Sequence, residues 1–450
     1  MRFIKNDNEL LSHGEVELRR EALDIIDTAL SITDPYERVR KLVSFDGSEV
    51  RVGDEKLEVK GKIYIIGAGK ASYYPVKALE DILGDAIEEG VLVCKYGQEG
   101  ELSRCRMIHA SHPLPDENGL YASQLIMELA GKTKPGDIVF CCITGGSTSL
   151  LPLPHEGITL EDLRETYRQL LRCSANIVEM NAVRKHLCRI KGGRLAKAIN
   201  EGATIINLTI SDVIGDMLDY ITCPTVPDTS TLDDARRTLT KYALWDKLPD
   251  SVVRYLREAG EADETPKRLD NHRIINHILL HEDEACQAAL TRAKELGYNA
   301  MILSSMFEGE SKEAGAFFAS IGKEVSQFGR PLAKPCAIIG GGEMTMKIDR
   351  KDPGTGGPSQ QFVLSAATWI EGWEGIVIVG IDTDGTDGVS DYAGGIVDGS
   401  TAKRAREAGI NIYDYMARFD DTNALLALGD AIYTGATGNN INDLKLMLIK

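Results

Sequence analysis

The 450-residue chain lacks Cys-x-x-Cys pairs, although it contains nine cysteines. Zinc sites of the finger type need thiolates at such short spacing, so this class of site is excluded. The cysteines are scattered, and Cys141 and Cys142 lie inside an apolar run. We therefore expect buried, reduced thiols.

Long apolar runs and dense Lys/Arg runs are also missing. The N-terminal segment has no apolar signal core, and no segment is long enough to span a bilayer. The formal net charge of -17 supplies no basic face for a nucleic-acid backbone. We expect a cytoplasmic protein whose partners include neither nucleic acid nor a membrane.

What the chain does contain is a regular alternation of apolar strands and helices. Candidate strands at 62–66, 138–143 and 204–209 each run into polar turn residues. Their apolar residues do not alternate with polar ones, which predicts parallel sheets covered by helices on both faces. Residues 217–272 are charged and weakly periodic, and we expect the crossing between two domains there.

Ligands of open parallel sheets bind at the carboxyl ends of the strands. The loop at 67–72 follows a strand and opens a helix, whose amides and dipole favour an anion near Gly69 and Lys70. A nicotinamide-binding loop is the competing interpretation. It would need a third glycine at Ser72 and an acid at the end of the next strand, where Lys95 stands. A plain turn with an exposed lysine is the other alternative.

A second loop, at 144–149, contains paired glycines that let backbone amides approach a phosphate, and hydroxyls that add donors. Its candidate binding residues are Gly145, Gly146, Ser147 and Ser149. A flexible hydroxyl-rich turn is the alternative.

Residues 181–194 gather several cations within a few helical turns. Arg184 and Lys191 are seven residues apart, which predicts a shared helix face. Both suit a substrate carboxylate or a transferred phosphoryl group. Asn181 and Lys185 are candidate binding residues beside them. A solvated basic face is the alternative.

Aspartates follow two further strands, at Asp212 and Asp216 and again at Asp382, Asp384 and Asp387. Mg²⁺ takes one or two carboxylates together with phosphate oxygens. A carboxylate at a strand end could also deprotonate the attacking hydroxyl. Ordinary turn aspartates are the alternative at each position.

Three more loops, at 339–343, 354–361 and 434–443, are rich in glycine or in amide side chains that suit polar ligand groups. Structural turns are at least as good an interpretation of each. Their candidate binding residues are Glu343, Gln360, Thr437, Asn439 and Asn442.

Taken in order, these loops resemble the glycerate 2-kinase family, also called the MOFRL family. The similarity covers nearly the whole chain apart from 217–300. It is carried by GAGKAS at 67–72, ITGGSTSLLPLP at 143–154, MNAVRKHLCRIKGGRLA at 180–196, ISDVIGD at 210–216, GGGEMTMKI at 340–348, GIDTDGTDGVSDYAGGIVD at 380–398 and TGATGNNINDLKLMLI at 434–449.

The resemblance implies two α/β/α domains with mainly parallel sheets and the active site in the interdomain cleft. The expected domains are a Rossmann-like one at 1–235 and a MOFRL-type one at 236–450, and the tail at 430–450 could pack back on the first. ATP, Mg²⁺ and D-glycerate are implied, giving 2-phosphoglycerate. Whether the protein forms a homodimer is left open.

The resemblance also assigns roles to residues. Lys70 matches the characteristic lysine of the family. The expected catalytic residues are Lys70, Arg184, Lys191, Asp212 and Asp384. The expected Mg²⁺ ligands, with the division between base and metal duties left open, are Asp216, Asp382 and Asp387.

One position departs from the family. Relatives commonly carry an arginine directly after the paired glycines at 356–357, and Pro358 stands there in this chain. Lysine or backbone amides cannot copy the guanidinium fork, so a related hydroxy acid stays open as the acceptor. The rival functions are an NAD(P)H-dependent hydroxypyruvate reductase and a noncatalytic ligand-binding homologue.

Overall fold

The computed structural model describes residues 2–173, 175–210, 224–281, 283–348, 350 and 352–450. The chain divides into a central unit, Pro35–Leu280, and a terminal unit, Met1–Asp34 with His281–Lys450. The division falls later than the expected boundary at 235, because the weakly periodic segment after it leads into one more strand of the central unit. Both units are α/β, which confirms the predicted fold class.

The strands and helices are numbered here in chain order. The strands are β1 (Val43–Phe45), β2 (Glu49–Val52), β3 (Glu55–Glu58), β4 (Ile63–Ala68), β5 (Ile87–Lys95), β6 (Cys105–Ala110), β7 (Ile138–Ile143), β8 (Thr204–Ile210), β9 (Arg273–Leu280), β10 (Asn299–Phe307), β11 (Cys336–Gly342), β12 (Ile376–Asp382), β13 (Gly394–Asp398), β14 (Ala431–Ile432) and β15 (Asp443–Ile449). The α-helices of the described ranges are α1 (Asp7–Leu10), α2 (Val16–Ile32), α3 (Pro35–Leu42), α4 (Tyr73–Leu83), α5 (Glu117–Lys132), α6 (Ser147–Leu150), α7 (Leu160–Arg172), α8 (Ile177–His186), α9 (Arg194–Ala198), α10 (Leu232–Lys241), α11 (Asp250–Glu258), α12 (Glu284–Glu295), α13 (Ser311–Phe328), α14 (Pro358–Trp369), α15 (Thr401–Glu407), α16 (Ile412–Ala417) and α17 (Asp421–Leu428).

The main sheet of the central unit is parallel, with the spatial order β6-β5-β4-β7-β8-β9. Counted along the chain, this is the order 3-2-1-4-5-6 of a Rossmann fold, which confirms the predicted type of domain. Every residue of β4 and β7 is buried, because helices cover both faces of the sheet. The order reverses between these two strands, so a crevice opens at their carboxyl ends.

The terminal unit has a mixed six-stranded sheet in the order β10-β11-β15-β12-β13-β14. Strands β10, β11, β12 and β14 run in one direction, whereas β15 and β13 run against them. The tail at 430–450 supplies β14 and β15 to this sheet. All seven residues of β15 are buried, since it lies between β11 and β12 with both faces covered.

A buried arginine ties α2 to the second half of the terminal unit. Nε of Arg19 donates to Oδ2 of Asp398 at 2.6 Å, and Nη1 donates to Oδ1 of Asp430 at 2.8 Å. Arg404 donates to the other oxygen of Asp430 at 2.7 Å. Burial alone would raise the pKa of Asp398, but Arg19 and the hydrogen bonds from Ser400 outweigh it and lower the pKa to about 2.

The remaining expectations concern cysteines and membranes. The cysteines in the described ranges form no disulfide, and all but Cys173 are buried, as predicted for their position in apolar segments. Within the same ranges, no helix is both long and apolar enough to cross a bilayer.

Candidate functional site

The loops after β4 and β7 contact each other at the point where the strand order reverses. The backbone N–H of Lys70 donates to the carbonyl of Gly145 at 2.9 Å, and that of Ala71 donates to Oγ1 of Thr144 at 3.1 Å. Gly69 has φ +141°, and a Cβ on it would lie 2.1 Å from Oγ1 of Thr144, so only glycine fits. The two predicted anion-binding loops therefore form one surface.

Gly146, in the second of these loops, lies close to the side chains of Lys70 and His112. Its φ is +84°, and a Cβ on it would lie 3.1 Å from Cγ of Lys70 and 3.1 Å from Cδ2 of His112. Ser147 is buried at the start of α6, and Oγ of Ser149 donates to the carbonyl of Pro113 at 2.6 Å. His112 is not among the residues predicted to bind a ligand, because it stands in a Pro-rich segment typical of an ordinary turn.

The predicted binding residues on α8 lie in different environments. Asn181 is buried, and its Oδ1 has no hydrogen-bond partner within the described part of the chain. The guanidinium of buried Arg184 lies 4.8 Å from the ring centroid of Tyr167, in a cation–π contact. Nζ of Lys185 donates to Oδ1 of Asp228 at 2.8 Å, and both side chains are buried.

The expected shared face of Arg184 and Lys191 is wrong. Helix α8 ends at His186, and the turn that follows contains Gly192 and Gly193 with φ +61° and +81°, so Lys191 is not on that helix.

The side chain of Lys191 is instead buried inside the central unit. Its ammonium is fully buried, donates to the carbonyl of Leu151 and lies 3.3 Å from Sγ of Cys188. Burial would raise the pKa of the Cys188 thiol, but the Lys191 charge and nearby hydrogen bonds outweigh it and lower that pKa. These contacts connect Lys191 to the segment that follows the 144–149 loop, and its catalytic role stays a prediction.

The predicted aspartates after β8 cannot be placed. Asp212 and Asp216 lie outside the described residues, so their catalytic and metal-binding roles stay predictions.

The aspartates after β12 form a second polar edge, in the terminal unit. Oδ1 of Asp382 accepts from the backbone N–H of Asp384 at 3.0 Å, and Oδ1 of Asp384 accepts from both donors of Thr386 at 2.7 and 2.8 Å. The loop before β15 joins them, since the N–H of Thr437 donates to the carbonyl of Asp384 at 3.1 Å. Asp443 pairs with Asp382 across neighbouring strands.

Asp387 has a different environment. It is buried, and its oxygens accept from the N–H groups of Ser359 at 3.1 Å and Gln360 at 2.7 Å, at the start of α14. A Cβ on Gly357 would lie 2.3 Å from Cγ of Asp387, and one on Gly356 would lie 2.8 Å from Oδ2 of Asp421. The paired glycines thus make room for two acidic side chains, and the group that these helix amides contact is the carboxyl of Asp387 itself. Burial and the neighbouring Asp443 raise the pKa of Asp387 well above its ordinary value.

Gln360 and Asn439, two other predicted binding residues of this unit, have side-chain hydrogen bonds within the protein. Gln360 is buried and accepts from Oγ1 of Thr422 at 2.5 Å. Nδ2 of Asn439 donates to the carbonyl of Thr33 at 3.0 Å, at the end of α2. Glu343 is exposed after β11. Their ligand-binding roles stay predictions.

Asn442 has an unusual conformation in the same unit. Its φ is +64°, and its carbonyl accepts from the backbone N–H and the hydroxyl of Thr383 at 3.1 and 2.7 Å. Its side-chain Nδ2 is buried without a hydrogen-bond partner among the described residues. An orphaned donor of this kind agrees with the predicted binding role, which stays a prediction.

The carboxylates after β12 fit Mg²⁺ by donor type. The described ranges hold no group of three or more His, Cys, Asp or Glu side chains arranged around a metal. Mg²⁺ usually takes one or two carboxylates and completes its shell with substrate phosphates and water, so Asp382 with at most one further carboxylate would suffice on the protein side.

Asp421 is a buried acid at the start of α17. Neither of its oxygens has a hydrogen-bond partner among the described residues. Burial and the nearby Asp387 raise its pKa to about 8, from an ordinary 3.8. Between these two pKa values, the folded protein therefore keeps a proton that the unfolded chain has released. The free energy of unfolding consequently falls as the pH rises towards 8.

We predict that Asp421→Asn flattens the fall in the free energy of unfolding between about pH 5 and pH 8. The wild type loses up to about 1.4 kcal/mol per pH unit from this group, whereas the amide cannot ionise. Urea unfolding at several pH values measures the difference. Asp420→Asn, at the half-buried neighbouring residue, is the matched control, and parallel pH profiles of wild type and Asp421→Asn would contradict the prediction.

Two families of known proteins match separate parts of the chain. Residues 21–257 match a family described as a domain of unknown function (DUF4147), and residues 336–443 match the MOFRL family. Glycerate 2-kinase from Pyrococcus horikoshii is 40% identical over 437 residues, which cover 96% of this chain and 98% of that protein.

Two further relatives differ in name. A crystal structure of glycerate kinase from Thermotoga maritima is 39% identical, with a TM-score of 0.81, and the match covers 96% of this chain and 100% of that one. A protein named as a putative hydroxypyruvate reductase from Agrobacterium vitis is 34% identical over 99% of this chain and 98% of its own length. The chain therefore belongs to the glycerate 2-kinase (MOFRL) family, as its motifs predicted.

Proposed function

We propose that this protein is an ATP- and Mg²⁺-dependent kinase that phosphorylates the 2-hydroxyl of D-glycerate to give 2-phosphoglycerate. The observation that supports it most is the joined surface of the 67–72 and 144–149 loops, which presents Lys70 where the strand order reverses. An anionic ligand suits that position, because it faces the start of α4. The full-length similarity to proteins named as glycerate 2-kinases points to the same reaction.

Phosphoryl transfer depends on positioning and charge neutralisation more than on covalent chemistry. Lys70 would neutralise oxygens of the phosphates or the acceptor, and the amides of the 144–149 loop would orient them. Arg184 would hold the acceptor carboxylate or the transferring group. Asp384, at a strand end, would accept the proton of the attacking hydroxyl, with Asp212 as the alternative base.

Mg²⁺, when bound, neutralises charge on the ATP phosphates. Asp382 and Asp216 would hold it. The contacts of Asp387 with two helix amides favour a structural role for that carboxylate over metal binding.

The reductase alternative is not favoured, and the reason lies in loop chemistry rather than in the fold. The Rossmann strand order occurs both in proteins that bind dinucleotides and in proteins that bind other ligands. However, Ser72 replaces the third glycine of a dinucleotide fingerprint, and β5 ends at Lys95 without the acid that binds ribose.

The test is to incubate the purified protein with ATP, Mg²⁺ and a panel of short hydroxy acids, and to measure ADP release. A parallel assay follows NAD(P)H with hydroxypyruvate. We expect ADP with D-glycerate, loss of turnover with excess EDTA, and no NAD(P)H oxidation. Oxidation without ADP release would support the reductase. ATP binding without turnover on any acid would support a noncatalytic homologue.

A further inference from the structure

His112 follows β6 and is fixed from both sides. Oγ of Ser149 donates to the carbonyl of the next residue, Pro113, at 2.6 Å. On the other side, Asp116 caps α5 by accepting from the N–H of Gly119 at 2.9 Å. The segment that carries the imidazole is thus attached to the 144–149 loop and to a sixteen-residue helix.

The imidazole of His112 and the side chain of Lys70, the predicted catalytic lysine, both lie next to Gly146. A Cβ on Gly146 would lie 3.1 Å from Cδ2 and 3.3 Å from Nε2 of His112, and 3.1 Å from Cγ of Lys70. The two side chains therefore lie against the same glycine, one from the loop after β6 and one from the loop after β4. Any larger residue at 146 would displace both of them.

We propose that His112 is an additional ligand-contacting residue, which binds an anionic oxygen of ATP or of the acceptor acid together with Lys70. This inference rests on the proposed kinase function. An imidazole N–H donates a hydrogen bond in either protonation state, and the neighbouring ammonium gives the oxygen a second, charged donor. Half-buried His112 is also accessible enough to reach a ligand.

The experiment compares His112→Leu and His112→Gln with wild type, using KM for ATP, KM for D-glycerate, kcat and thermal unfolding. We expect His112→Leu to lose about 10- to 100-fold in kcat/KM, the range for one hydrogen bond to a charged group. His112→Gln keeps an N–H donor and should lose less. His109→Gln, where Nε2 contacts the carbonyl of Gln98 at 2.9 Å, is the matched control.

The kinetic constant that changes identifies the contact. A higher KM for ATP indicates a nucleotide phosphate, a higher KM for glycerate indicates the acceptor carboxylate, and a lower kcat alone indicates the transferring phosphoryl group. Unchanged constants in His112→Leu, or losses that only follow a lower melting temperature, overturn the proposal. If the wild type shows no turnover, the proposed function fails. Calorimetry with ATP and with D-glycerate then tests His112 separately, and equal affinities of His112→Leu and wild type for both ligands overturn the contact.

Discussion

Lys70→Ala should lower kcat/KM for glycerate phosphorylation by about 10²- to 10³-fold, the cost of removing one positioned electrostatic contact from a transition state. The reason is the position of Lys70 on the surface shared by the loops after β4 and β7, where its backbone is already fixed by Gly145. Steady-state kinetics with ATP and D-glycerate measure the loss.

Lys77→Ala is the matched control for Lys70→Ala. Lys77 lies on α4, the helix that the Lys70 loop opens, and its ammonium pairs with Asp81 at 2.7 Å on a partly exposed face. This variant should keep wild-type turnover. Near-wild-type kcat/KM in folded Lys70→Ala would remove this loop from the active site.

Arg19→Met should destabilise the terminal unit by about 3–5 kcal/mol, the usual cost of removing one member of a buried ion pair. The substitution leaves Asp398 and Asp430 buried without the guanidinium that both contact. It also removes the link between α2 and the segment that contains α15 and β14. Urea unfolding followed by circular dichroism measures the change.

Arg20→Met is the control one residue along the same helix. The side chain of Arg20 is 54% exposed and lies 3.8 Å from Glu17, so its loss should change the free energy of unfolding by less than about 1 kcal/mol. Equal stability of the two variants would contradict a structural role for the Arg19 cluster.

The sequence predicted the structure well where an apolar strand pattern is followed directly by a loop of glycine and polar residues. The apolar, nonalternating segments predicted parallel strands, and the loops at 67–72 and 144–149 follow β4 and β7 as expected. Neither the insertion of β15 between β11 and β12 nor the 3-2-1-4-5-6 order could be derived from periodicity. Both depend on which strands meet over long sequence separations.

The contacts that individual charged side chains make were the least predictable feature. Lys185, Lys191 and Asp387 have the residue types of a binding site, yet their described contacts are with Asp228, the carbonyl of Leu151 and helix amides. A lysine or aspartate that satisfies a buried partner has the same sequence signal as one that binds ligand. His112 shows the opposite case, because its local sequence carries no signal of a binding site. Only the folded chain brings it close to Gly146.

The most direct measurement identifies the product formed from ATP, Mg²⁺ and D-glycerate, by coupling the reaction to enolase and recording phosphoenolpyruvate. A 2-kinase gives 2-phosphoglycerate, which enolase converts at once, so we predict phosphoenolpyruvate in proportion to ADP. ADP accompanied by 3-phosphoglycerate, which enolase does not use, would contradict phosphorylation at the 2-hydroxyl. No ADP at all would contradict the kinase itself.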